Sequence, residues 1–93
     1  MKMNPEQFKQ LLEDLANSKK AIEEEMKSMK DFNNYETAHR LYKDMTDFLK
    51  AADEQNEVKI GWTIMRMAVH AEDACEVSLV AKNMWQEMQK FIH

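Results

Sequence analysis

The chemically versatile residues of this chain are three histidines, one cysteine and a surplus of carboxylates, 17 Asp and Glu against 13 Lys and Arg. Glu36 and His39 form a Glu-x-x-His pair. On a helix, positions i and i+3 share a face, and two such pairs with two further glutamates can hold a di-iron centre inside a bundle. The second pair is missing here, so only a symmetric dimer would complete that set. Glu36 also falls in line with Arg40, Lys43, Asp47 and Lys50, a run that reads as a solvated charged stripe. His70 and Asp73, and Glu72 and Glu76, each lie one helical turn apart, a spacing that suits a cation or a positioned general base. An acidic helix surface beside a hydrogen-bonded histidine accounts for the same residues. The expectation is therefore no metal and no cofactor, with Glu36, His39, His70 and Glu72 as the ligands a metal would have to use.

Cys75 lies among Ala71, Ala74 and Leu79, with no histidine at a local spacing that would activate it. It reads as a buried, inert thiol. A lone cysteine allows no internal disulfide, and a reducing compartment is expected. Glu23, Glu24 and Glu25 do not keep the Glu-Glu-x-x-Glu spacing with which helical nucleotide pyrophosphohydrolases hold magnesium, and no later Glu-x-x-Asp follows. No motif carries catalysis, so the chain is read as a non-enzyme. Tyr35, Arg40, Tyr42 and Arg66 are the residues a small-ligand pocket between subunits would use.

These side chains must be positioned by helices. The 93 residues include one glycine, Gly61, and one proline, Pro5, too few for the turns that sheets require. Ala, Leu, Met, Lys, Glu and Gln dominate, and all favour helix. The length suits one domain. Asn4, Pro5 and Gln7 spell an N-cap, a first helical position and a capping box, which predicts helix 1 over about 5–30. Phe8, Leu15, Ile22 and Met29 recur every seven residues along it. Asn33 with Glu36 signals a second start, for helix 2 over about 34–53, whose apolar row is Tyr35, Ala38, Tyr42, Met45, Leu49 and Ala52, widened by Leu41 and Phe48. Polar residues from Asp53 to Glu57 predict a turn.

The third segment, about 58–92, has a buried face that rotates. Val58, Trp62, Met65 and Val69 form one row, and Ile64, Ala68, Ala71 and Cys75 another; Ala74, Val77, Ala81, Met84, Met88 and Phe91 take over further on. Either the helix breaks near Glu72–Asp73, or one long helix meets different neighbours along its length. The long-helix reading is preferred, giving an all-α antiparallel three-helix bundle with a long C-terminal helix. At 1.5 Å per residue, that helix would run roughly 50 Å and helix 2 only about 30 Å. The excess predicts a homodimer or higher oligomer, with Trp85, Met88 and Phe91 in the contact.

Function follows from these surfaces. The expectation is a small intracellular, cytoplasmic adaptor, inhibitor or regulator, in the manner of a bacterial or phage accessory protein, binding protein partners or itself through Trp62, Met65, Met67, Trp85, Met88 and Phe91. A net charge of −4 argues against nucleic acid. No apolar run reaches the roughly 20 residues of a membrane span.

Overall fold

The computed structural model describes residues 4–92, with side chains described as far as Gln89. It holds four helices: α1 (Pro5–Lys27), α2 (Phe32–Asp53), α3 (Glu57–Ala74) and α4 (Leu79–Ile92). No strand occurs among the described residues. The Cα radius of gyration is 12.6 Å, close to what a folded domain of this length requires.

Each helix start has an identifiable cause. Asn4 Oδ1 accepts from the Gln7 amide at 2.8 Å, and Gln7 Oε1 accepts from the Asn4 amide at 3.3 Å, with Pro5 opening the helix. α2 begins two residues earlier than the Asn33–Glu36 signal implies, because Asp31 accepts from the Asn34 amide at 3.1 Å and takes the cap. At the far end of α2, Gln55 adopts a left-handed φ of 55°. Its amide bonds Ala52 O at 3.1 Å and the Asn56 amide bonds Ala51 O at 2.9 Å, the paired closure that usually has glycine at this place. Asn56 then caps α3 by accepting from the Lys59 amide at 3.1 Å.

The long third helix of the sequence reading is two helices. The chain breaks at residues 75–78, just past the Glu72–Asp73 position considered for it. Neither glycine nor proline makes the break; Ser78 caps α4, and Glu25 of α1 holds the cap. Ser78 Oγ donates to Glu25 Oε1 at 2.5 Å and accepts from the Ala81 amide at 3.0 Å, while the Leu79 amide donates to Glu25 Oε2 at 3.0 Å. A carboxylate from a distant helix thus takes the first two unpaired amides of α4, and Ser78 takes the third. The break also explains the rotated apolar face, and it removes the excess length from which self-association was inferred.

The core takes Leu11, Leu15, Ile22 and Met26 from α1 and Ala38, Leu41, Met45, Phe48 and Ala51 from α2. α3 adds Ile64, Met67, Ala71 and Ala74, and α4 adds Ala81, Met84 and Met88. On α2 the buried stripe centres on Leu41 and Phe48, which the sequence reading placed at its edge; Tyr42 and Leu49 are only partly buried. Small residues on α3 let α2 come close, and this pair forms the most extensive helix contact. α1 and α4 meet more sparsely. Between them a cleft of about 410 Å³ opens over Leu11, Leu15, Met84 and Met88.

Candidate docking face

α3 is apolar on two sides. Its inner side fills the core. Its outer side carries Val58, Trp62, Met65 and Val69 at steps of four, three and four, with exposures of 64%, 71%, 55% and 57%. Half-exposed Ala68 and Gly61 flank the row on one side, so the uncharged surface wraps about a third of the helix. A Cβ built on Gly61 would meet nothing within 4 Å. Single exposed apolar residues are ordinary, but a contiguous stripe led by a tryptophan is not.

A polar network sets the rotation that turns this stripe outward. Asp44 lies inside the buried stripe of α2 and is only 4% exposed. Its carboxylate accepts a hydrogen bond from His70 Nδ1 and pairs with Arg66 Nε at 3.3 Å. Arg66 Nη2 also reaches Asp47 Oδ2 at 3.0 Å. A buried carboxylate requires such partners. An ionised carboxylate accepts only, so His70 Nδ1 is the donor of this bond. Arg66 and His70 stand one turn apart on α3, and fixing both against α2 leaves Trp62 facing away from the core. Thr63, also buried, satisfies its hydroxyl within the helix, donating to Lys59 O at 2.7 Å. The sequence reading missed this network. A carboxylate three residues from Leu41 and four from Phe48, in the core stripe of α2, was the available signal.

The expected site residues are distributed differently from the expectation. Trp62 and Met65 lie on the outer face. Met67 and Met88 do not present a surface: at 0% and 1% exposure they are filled into the chain's own core. Their rows face inward because α2 and α4 pack against them. Trp85 is half-buried against the core. Phe91 falls outside the described side chains.

The ligand and metal candidates do not converge. Tyr35, His39 and Tyr42 form a ladder along α2, with ring centroids 6.0 and 6.1 Å apart. Tyr42 Oη donates to Glu23 Oε1 at 2.6 Å. That bond, with burial and the glutamate charge, raises the Tyr42 phenol above its ordinary value. Lys19 Nζ lies 5.4 Å from the same ring's centre. A shallow cavity of about 550 Å³ includes all three rings. Neither arginine lines it: Arg40 pairs with Glu36 at 2.6 Å, and Arg66 belongs to the Asp44 network. Glu36 and His39 thus engage different partners, His70 is held by Asp44, and Glu72 is exposed at the end of α3. Among the described residues, no three His, Cys, Asp or Glu side chains come together as a metal would need. Cys75, partly buried, follows α3 directly. No described helix is long and apolar enough to cross a membrane.

No family model, curated protein or solved structure matches the chain.

Proposed function

We propose that this chain is a small protein-binding module, an adaptor, inhibitor or regulator, whose working surface is the outer face of α3. The observation that carries the reading is the exposed row Val58, Trp62, Met65 and Val69 on a helix whose opposite side already fills the core. A helix apolar on both sides belongs inside a larger assembly. Tryptophan is over-represented among residues that dominate binding energy, and methionine lets a surface adapt to its partner. The mechanism is burial of this stripe, with the surrounding charges selecting the partner. Short connections suit an antiparallel course for the four helices, which leaves α3 one full side for docking.

The test is capture of partners from the source cell by the wild type and by Trp62→Ala and Met65→Lys variants. Both substitutions lie outside the core, so helicity and melting should be retained. The variants should lose the partner by about tenfold or more, as expected for a central anchor. If both keep every partner at wild-type yield, the outer face of α3 is not the working surface.

A further inference from the structure

The outer stripe of α3 changes character at its C-terminal end. Three residues past Val69 the row reaches Glu72, with Asp73 beside it, and Glu76 follows in the turn after the helix. All three are exposed, and none takes part in an ion pair among the described residues. The last turn of α3 holds no basic residue. The unpaired carbonyls at a helix C-terminus already concentrate negative potential, so lysine or arginine is favoured there and carboxylates are not. A local rule is broken where an exposed apolar stripe ends, and such conflicts in natural proteins gather at functional surfaces.

We infer that the occupant of this face is an amphipathic helix of another protein, with its apolar seam along Val58, Trp62, Met65 and Val69 and basic residues at the end that reaches Glu72, Asp73 and Glu76. The inference rests on the docking role proposed for α3 and adds the chemistry of the partner. Steps of four, three and four are those of a helix-pairing seam. Gly61, beside the seam, leaves open space into which a partner helix can press. Charge selects among occupants. A second copy of α3 laid parallel would set acid against acid. Laid antiparallel about the centre of the row, it would bring Glu72 and Asp73 toward the N-terminal end of α3, where Glu54 and Glu57 outnumber Lys59. Like charges in both directions act against self-pairing. An anionic membrane is disfavoured for the same reason. A basic helix end instead relieves three unpaired carboxylates and complements the negative pole of α3.

The probe is a set of fluorescein-labelled helical peptides sharing one leucine seam, with a lysine cluster at either end or a glutamate cluster in its place, titrated by anisotropy against the full chain. One lysine peptide should bind at least about tenfold more tightly than its glutamate counterpart, as desolvated charge complementarity allows. The preference should vanish in Glu72→Gln/Asp73→Asn/Glu76→Gln, and Met65→Glu should abolish binding. Equal binding of lysine and glutamate peptides that still depends on Met65 would overturn the basic partner while leaving the docking face in place. Absence of binding by any peptide would overturn the helical partner. A dimer in sedimentation, or uptake by phosphatidylcholine vesicles, lost in Met65→Glu would replace the partner helix with a second copy or with lipid.

Discussion

The two long sides of α3 carry similar residues and have opposite surroundings. Ile64, Met67, Ala71 and Ala74 are buried against the other helices, while Val58, Trp62, Met65 and Val69 face outward. Size separates them in part: the inner side includes two alanines, which admit a neighbouring backbone, and the outer side includes a tryptophan. Anchoring decides the rest. Arg66 and His70 fix the rotation of the helix on Asp44, so two rows of comparable hydropathy become one core face and one free face. Periodicity therefore shows that a face is apolar; polar anchors show which face is inside.

The strongest way to break this comparison is to place the same charge on each side. Met67→Lys puts an ammonium into the core and should cost roughly 3–5 kcal/mol, a large part of the stability of a domain this size. Met65→Lys, two residues away and exposed, should stay within about 0.5 kcal/mol of the wild type. Urea unfolding of the pair is the measurement, and equal losses would mean that the assigned rotation of α3 is wrong. A smaller effect is expected from the anchor. Asp44→Ala should destabilise by about 2 kcal/mol, since it strips the acceptor from His70 and from one arm of Arg66. Asp44→Asn should recover part of that loss, because its carbonyl still accepts. The smallest effect sharpens the outer side. Gly61→Ala meets no neighbour and should raise stability by about 0.5–1 kcal/mol through helix propensity. A loss of stability in a thermal melt would mean that Gly61 faces a packed neighbour after all.

Much of the helical content was legible in the residues. The Asn4–Pro5–Gln7 start and the polar interval before α3 announced themselves through local chemistry, which acts within one turn. Trp62 and Met65 were identifiable as candidates because their row is apolar in any helical arrangement. What was hidden depends on distance along the chain. The break at residues 75–78 has no glycine or proline, only the Ser78 cap, and that cap is held by Glu25, 53 residues away. Without that break, Met88 read as part of an oligomer contact on an overlong helix. Met67 read as an adaptable contact because its row borders the polar line of Lys59, Arg66 and Asp73, and the packing of α2, with Arg66 and His70 held on Asp44, turns it inward. Asp44 itself was passed over because carboxylates are common here and most sit on the surface.

The Glu25–Ser78 bridge also orders events in time. A 14-residue segment such as α4 is marginal as an isolated helix, and the Leu79 and Val80 amides that open it find their acceptor on α1. α4 must therefore wait for α1 to be in place. The gap of 53 residues makes that closure the late, entropically expensive contact of the fold. Loss of the Glu25 carboxylate should consequently accelerate unfolding while leaving the folding rate nearly untouched, since interactions that form after the transition state govern escape from the native basin.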